Sequence, residues 1–173
     1  MSPEEIKALV RDVPDFPKPG IVFKDITPLL ADAAAFRAII ERLGAWAEAA
    51  RADGILAIES RGFIFGAALA ARVGTPLQLV RKRGKLPRET VSVEYALEYG
   101  TDRLEVHADA IERGGRYLIV DDVIATGGTA AAVARLVARQ GGAVAACLFV
   151  LELDFLHGRD ALDGIPVQSL ISF

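Results

Sequence analysis

The sequence predicts a single α/β domain built on a central, mostly parallel β-sheet that is flanked by helices. Short apolar runs without alternation are typical of strands buried on both faces, and here such runs alternate with segments of helical spacing. The length of 173 residues suits one domain of ordinary size. In chain order we expect strands at 55–58, 77–80, 117–120 and 143–151, and helices at 63–73 and 129–140.

Composition and charge narrow the class of protein further. Hydrophobic residues make up 52% of the chain and charged residues 25%, which excludes a disordered protein. The net charge of -3 gives no overall attraction to a polyanion, so we expect no nucleic-acid partner. The apolar runs are short, the chain starts with an acidic segment, and Cys147 is the single cysteine. We therefore expect a cytoplasmic protein with no membrane segment and no disulfide.

The segment before the first predicted strand contains two helix signals. Ser2 and Glu5 have the spacing of a capping box, and a short helix is predicted to follow. Its apolar positions are Ile6, Leu9, Val10 and Val13. Three prolines and a glycine in residues 14–20 form a stiff connection that cannot continue this helix. Asp32 is placed to cap a second helix that runs to about Ala52.

Residues 91–106 have the alternation of a two-stranded ribbon. We expect it to turn at Gly100-Thr101-Asp102 and to lie exposed, as an insertion over the sheet. The basic stretch 81–88 leads into it. A solvated loop would account for this stretch, but its place after a strand lets it reach the sheet edge where anionic ligands bind.

The strongest local signal is the run from Tyr117 to Thr129, a buried strand that ends in Asp121 and Asp122 and is followed by a loop of small residues. The loop residues are Ala125, Thr126, Gly127, Gly128 and Thr129. A loop of this kind opens a helix, and the free N–H groups of a helix N-terminus bind anions. Glycines let the backbone close around a phosphate. The run therefore predicts a monophosphate cradle beside an acidic pair.

A second candidate site is Glu59-Ser60-Arg61-Gly62, which follows the strand 55–58 and precedes a helix. The carboxyl ends of parallel strands meet at one edge of the sheet, so this segment is expected near Asp121. An arginine and free N–H groups there suit a diphosphate. The alternative is an ordinary helix entry with a surface arginine.

The run from Tyr117 to Thr129 resembles the signature of the type I phosphoribosyltransferases. Three further segments, 14–30, 59–63 and 81–87, resemble in order and spacing the members of that family that act on adenine. The resemblance covers nearly all of residues 3–171. It implies the type I phosphoribosyltransferase fold in a single domain, with a small hood of about residues 1–30 and a flexible β-ribbon loop of about residues 81–106.

The resemblance implies that the phosphoribosyl group of 5-phosphoribosyl 1-diphosphate is transferred to adenine, giving AMP and diphosphate. It further implies a homodimer and a Mg2+ cofactor that is held mainly by substrate oxygens and water. Asp121 and Asp122 would contact the ribose hydroxyls, and residues 125–129 would hold the 5-phosphate. The residues implied to bind the diphosphate are Ser60, Arg61, Arg81, Lys82 and Lys85.

The same resemblance implies which residues bind the base and which take part in the reaction. Main-chain groups of Val22 and Lys24 would pair with the adenine edge, and Phe23 would stack on its ring. Arg61 would be catalytic, as would Glu98, which would assist proton movement near the purine N7. Tyr99 would close over the reaction centre as a lid. The alternative for Glu98 and Tyr99 is that both are surface residues of the ribbon.

Two other functions stay open at this point. One is phosphoribosyl transfer to xanthine, hypoxanthine, guanine or orotate, because the Asp121-Asp122 loop is shared by relatives that use other bases. The other is a regulator that senses 5-phosphoribosyl 1-diphosphate and binds DNA. The short helix before Pro14 leaves no space for a helix-turn-helix, which disfavours the regulator.

Overall fold

The computed structural model describes residues 1–97 and 100–173 as a mixed α/β domain. The helices are α1 (Pro3–Lys7), α2 (Thr27–Ala31), α3 (Ala33–Ala50), α4 (Gly62–Val73) and α5 (Gly128–Arg139), and two 3₁₀ turns cover Asp154–Leu156 and Gly158–Leu162. The strands are β1 (Arg11–Pro14), β2 (Val22–Asp25), β3 (Gly54–Ile58), β4 (Leu77–Lys82), β5 (Thr90–Leu97), β6 (Gly100–His107), β7 (Arg116–Ile124), β8 (Ala143–Glu152) and β9 (Val167–Ser172).

Seven strands form the central sheet in the order β5-β6-β4-β3-β7-β8-β9. The five strands from β4 to β9 in this order pair in parallel, whereas β5 and β6 add an antiparallel edge. One apolar cluster fills the side of the sheet that α5 covers, and a second fills the side that α3 and α4 cover. The predicted class, a mostly parallel sheet flanked by helices, is confirmed.

The central strands are buried on both faces, as their continuous apolar runs predict. All five residues of β3 are buried, and β3 pairs with β4 on one side and β7 on the other. Strand β7 is longer than expected, because it continues through Asp121 and Asp122 to Ile124. The acidic pair is thus held by strand pairing with β8.

The first helix is shorter than its apolar spacing predicts. The capping box is present, with Ser2 Oγ accepting from Glu5 N at 3.2 Å, but α1 ends at Lys7. Val13 lies instead in β1, opposite Phe23 of β2, and is exposed. The helical prediction for Leu9, Val10 and Val13 was wrong. Pro14 disfavours helical backbone at Val13, and β2 offers main-chain partners to β1.

The prediction that Asp32 caps the second helix is confirmed. Asp32 accepts hydrogen bonds from Ala34 N and Ala35 N, both at 2.9 Å, and α3 runs from Ala33 to Ala50. It ends two residues before Ala52, because Arg51 adopts a left-handed conformation. Helix α2 and strand β9 were not predicted.

The ribbon prediction was right about its two strands and wrong about their surroundings. Strand β6 begins at Gly100, so the turn does not lie at residues 100–102. The alternating apolar side chains Val93, Tyr95, Leu104 and Val106 are buried rather than exposed. They are covered because β6 pairs with the end of β4 and extends the sheet, while β5 packs on α5.

None of the helices in the described residues is both long enough and apolar enough to cross a membrane.

Candidate active site

A cavity of about 540 Å³ opens at the carboxyl ends of β3 and β7. Its wall contains both segments that the sequence singled out, together with the start of α5 and part of the ribbon. The predicted site residues that line it are Ser60, Arg61, Lys82, Lys85, Asp121, Asp122, Ala125, Thr126, Gly127, Gly128 and Thr129. The strand order brings these segments together, since β3 and β7 are neighbours in the sheet.

The loop before α5 depends on the backbone freedom of Gly127. Gly127 has φ of +76°, which favours glycine, and α5 begins at the next residue. A Cβ on Gly127 would lie 2.1 Å from the carbonyl oxygen of Gly158, so no larger residue fits. The first N–H groups of a helix lack partners within it, and here they lie beside the cavity.

The two acidic residues are bound to each other and to Arg61. Asp122 is 4% exposed and its Oδ2 accepts from Arg61 Nε at 2.5 Å. Its main-chain N–H donates to Asp121 Oδ1 at 2.8 Å. Burial raises the pKa of Asp121 well above its usual range, and the Asp122 carboxylate adds to the rise. Asp121 therefore binds a proton more readily than an exposed aspartate does.

Arg61 joins the acidic pair to the small β1-β2 sheet. Its guanidinium carbon lies 5.2 Å from the centroid of the Phe23 ring, a distance at which a cation and an aromatic face attract. The peptide bond between Glu59 and Ser60 is cis. A Cβ on Gly62 would lie 2.8 Å from Asp121 Oδ1, so this loop and β7 are in close contact.

Three cations of the basic stretch, Arg81, Lys82 and Arg88, have acidic partners. Arg81 Nε lies 3.2 Å from Glu59 Oε2, which also accepts from Lys82 N at 2.9 Å. Lys82 Nζ lies 3.4 Å from Asp102. Arg81 does not line the cavity in the described part of the chain; its guanidinium lies over Phe63. These acidic partners offset the repulsion expected among the clustered cations.

The predicted base-binding residues lie on β2, beside the cavity and not among the described residues that line it. Phe23 packs edge-on against Phe16, with ring centroids 5.2 Å apart. Lys24 turns away, because its Nζ contacts Asp12 at 2.6 Å and lies 4.2 Å from the Phe173 ring centroid. Arg61 is the side chain that connects β2 to the cavity.

The two predicted residues at the tip of the ribbon, Glu98 and Tyr99, lie outside the described residues. Their roles stay predictions, as do the individual roles of the cavity residues.

Comparison with known proteins gives the family. A family model described as a phosphoribosyl transferase domain matches residues 29–168. A curated adenine phosphoribosyltransferase from Thermoanaerobacter sp. (strain X514) is 56% identical over 173 residues, which is 100% of both chains. The chain belongs to the adenine phosphoribosyltransferase family.

Solved structures of this family have the same fold. The crystal structure of adenine phosphoribosyltransferase from Thermoanaerobacter pseudethanolicus is 56% identical, with a TM-score of 0.96 over 99% of this chain and 100% of that one. The Saccharomyces cerevisiae enzyme, solved with adenine and an imino-altritol bisphosphate, is 41% identical, with a TM-score of 0.92 over 97% of each chain. The predicted type I phosphoribosyltransferase fold is confirmed.

Sequence reasoning assigned no individual role to two side chains at this site. Tyr95 lines the cavity, and its hydroxyl donates to Asp102 Oδ2 at 3.3 Å. Burial raises the pKa of Tyr95. Glu59 orients Arg81 and the backbone of Lys82. The period-two alternation of β5 could have placed Tyr95 on a buried face, but only if the ribbon were recognised as part of the sheet.

Proposed function

We propose that this chain transfers the phosphoribosyl group of 5-phosphoribosyl 1-diphosphate to adenine, producing AMP and diphosphate in purine salvage. The observation that carries the proposal is the order of groups along the cavity. The acidic pair Asp121-Asp122 contacts the loop that bears Arg61 and is followed along the chain by the phosphate loop 125–129, and all three line one cavity. In the substrate, the ribose carries a phosphate at one end and a diphosphate at the other. Its three parts therefore correspond in order to the phosphate loop, the acidic pair and the loop that bears Arg61.

In this proposal the first task of the site is to hold the two phosphate ends of the substrate. The N–H groups at the start of α5 and the hydroxyls of Thr126 and Thr129 bind the 5-phosphate. Arg61, Lys82 and Lys85 bind the diphosphate and stabilise the negative charge that grows on it as the bond to the ribose breaks. Fixing both ends orients the anomeric carbon toward the base.

Asp121 and Asp122 hold the ribose hydroxyls. The raised pKa of Asp121 lets that residue donate a hydrogen bond as well as accept one, whereas Asp122 is held by Arg61. A ribose that bridges the two carboxyl groups is fixed in one orientation. This restraint matters because water must not reach the positive charge that develops at the anomeric carbon.

The base is read by the main chain of β2. Within the described residues β2 pairs with β1 alone, so one of its edges keeps free N–H and C=O groups. Val22 and Lys24 are two residues apart and present their main-chain groups to the same side of the strand. Such a pair distinguishes a 6-amino purine from a 6-oxo purine, because donor and acceptor are reversed between them. Phe23 stacks on the ring, Glu98 assists proton movement and Tyr99 closes over the centre.

The donor set of the cavity fits Mg2+. Carboxylate oxygens are the ligands that this ion prefers, and it usually keeps substrate oxygens and water in its shell. No cluster of three His, Cys, Asp or Glu side chains that could hold a metal occurs among the described residues. Substrate oxygens and water would hold most of its shell, and the ion when bound would offset charge on the diphosphate.

We further propose that the protein works in the cytoplasm as a homodimer. Its cysteine, Cys147, is buried, and burial raises the pKa of this thiol to about 12. Ile64 of α4 and Leu79 of the neighbouring β4 are 40% and 38% exposed, which leaves apolar surface for a second copy. Light scattering on the purified chain tests the dimer.

The deciding experiment measures diphosphate release with adenine, hypoxanthine, guanine, xanthine and orotate as acceptors. We expect release with adenine only. A rate with hypoxanthine or guanine that equals the rate with adenine would contradict the assignment of the base. Absence of release with all five would contradict phosphoribosyl transfer itself.

A further inference from the structure

The phosphate loop is supported from behind by the 3₁₀ turn Gly158–Leu162. The two backbones touch where glycines face each other: a Cβ on Gly127 would lie 2.1 Å from Gly158 O, and a Cβ on Gly158 would lie 2.3 Å from Ala125 O. Both glycines are buried. The position of Gly158 therefore limits the shapes that the loop can adopt.

No side chain caps the start of α5 in the described structure. A helix entry without a side-chain cap lacks the usual local hydrogen bond that fixes its first turn. The close contact with Gly158, which does not line the cavity, is then a steric restraint on this loop.

Gly158 is in turn fixed by its neighbour Arg159. The guanidinium of Arg159 forms a fork with Glu152, with Nε to Oε1 at 2.7 Å and Nη2 to Oε2 at 2.6 Å. Nη2 also donates to Ser169 Oγ at 2.8 Å, and Nη1 donates to Val167 O at 2.9 Å. Glu152 ends β8, and Val167 and Ser169 belong to β9. The arginine thus ties the turn to two strands of the rigid sheet.

Glu152 is 5% exposed and nevertheless carries a carboxylate. A buried carboxylate with one forked arginine partner is costly to leave unpaired, so the pair holds a single geometry. Neither Arg159 nor Glu152 lines the cavity in the described part of the chain. Any effect of the pair on substrate must pass through the loop.

We propose that Arg159 is a positioning residue: held by Glu152 and Ser169, it keeps Gly158 against Gly127 and so sets the shape of the phosphate loop and its affinity for a phosphorylated ribose. The proposal deepens the function proposed above and rests on it for the assignment of the 5-phosphate to residues 125–129.

The experiment separates an effect on the loop from an effect on stability. Arg159→Met removes the fork and leaves the Glu152 carboxylate with the Ser169 hydroxyl as its remaining side-chain donor among the described residues, whereas the double variant Arg159→Met/Glu152→Gln also removes this buried charge. Arg72→Met is the matched control, because Arg72 also joins two elements through ion pairs, to Glu41 and Glu48 between α3 and α4, away from the cavity. For each variant we would measure the thermal midpoint, kcat, the two KM values and the dissociation constant of ribose 5-phosphate by calorimetry.

We expect Arg159→Met to raise the KM for 5-phosphoribosyl 1-diphosphate and the dissociation constant of ribose 5-phosphate by about ten- to a hundredfold, with the KM for adenine nearly unchanged. The double variant should regain thermal stability and keep the raised KM. Gly158→Ala should raise the same constants with the arginine in place. Arg72→Met should change stability alone.

The proposal is overturned if the double variant regains its KM together with its stability, or if Arg159→Met leaves both constants unchanged. It is equally overturned if Arg72→Met raises the KM as much. Calorimetry keeps this test apart from the proposed function, since a chain that does not use adenine at all still reports how its loop binds ribose 5-phosphate.

Discussion

Arg61 and Asp122 form the ion pair at the centre of the cavity, with Nε 2.5 Å from Oδ2. Because the same guanidinium lies over Phe23, one side chain touches both the predicted ribose site and the predicted base site. Binding of a diphosphate near Arg61 would therefore alter the contact between Arg61 and the Phe23 ring, which is predicted to stack on the base. The first prediction follows from this double contact.

We predict that Arg61→Ala and Asp122→Asn each lower kcat and leave the fold intact, as checked by circular dichroism. Arg61→Ala should also raise the KM for adenine, because Phe23 loses the group that covers it. Arg61→Lys is the matched variant, since it keeps the charge but not the flat fork. Unchanged kinetics in both Arg61→Ala and Asp122→Asn would remove the proposed diphosphate and ribose roles.

The second prediction concerns Asp121, whose pKa is raised in the folded protein. The folded state keeps a proton that the unfolded chain releases near pH ~4. The stabilisation that this proton gives to the folded state is fully present below the unfolded pKa of Asp121. It is lost as the pH rises through the folded pKa. Each pH unit by which the folded pKa of Asp121 exceeds its unfolded pKa corresponds to about 1.4 kcal/mol of unfolding free energy.

Asp121→Asn should therefore unfold at higher urea concentration than the parent at pH 8, with a smaller difference in acid, while its kcat/KM for 5-phosphoribosyl 1-diphosphate falls. Asp109 is the control, because its partner Arg88 lowers the pKa of that carboxyl. Asp109→Asn should bring no gain in stability. A loss of stability in Asp121→Asn at pH 8 would contradict the argument.

The third prediction separates strain from close contact at Gly127. Gly127 and Gly164 have the same φ of +76°, but a Cβ on Gly164 would meet no atom within 4 Å. Gly164→Ala should cost roughly 1–2 kcal/mol from the left-handed backbone alone. Gly127→Ala should cost more and should also raise the KM for 5-phosphoribosyl 1-diphosphate. Equal losses of unfolding free energy in the two variants, measured in urea, would show that the contact with Gly158 is unimportant.

The fourth prediction concerns Lys24, whose side chain binds Asp12 and Phe173 rather than pointing to the cavity. If the main chain reads the base, Lys24→Met should leave the preference for adenine over hypoxanthine unchanged. Stability should fall by about 0.2–1 kcal/mol through loss of the ion pair with Asp12. A changed preference for the base, measured as a ratio of kcat/KM values, would instead assign the reading to the side chain. Lys24→Arg is the conservative comparison.

The parts of the structure that the sequence predicts well are those in which local pattern and tertiary position agree. The continuous apolar run of β3 and the Asp32 cap are such cases, because burial on two faces and a side-chain hydrogen bond each leave a local mark. The start of α5 after Gly127 is another, since the positive φ of Gly127 is a backbone conformation that favours glycine.

The parts that failed depend on distant partners. Val13 has helical spacing, but β2 supplies the strand partner that decides its conformation. The alternation around Tyr95 fits an exposed ribbon and a sheet edge equally, and only the pairing of β6 with β4 distinguishes them. The support behind the phosphate loop joins residues from β8, β9 and a 3₁₀ turn, which no local motif connects.

Strand β4 changes partners within its length, pairing in parallel with β3 through Val80 and antiparallel with β6 from Arg81. A residue inserted between these two positions would turn every later side chain of the strand to the opposite face. Lys82 would then leave the cavity, and the ribbon would shift against the sheet. Insertions should therefore be tolerated poorly at this point of β4, because the place of Lys82 in the cavity wall depends on the register between β4 and β6.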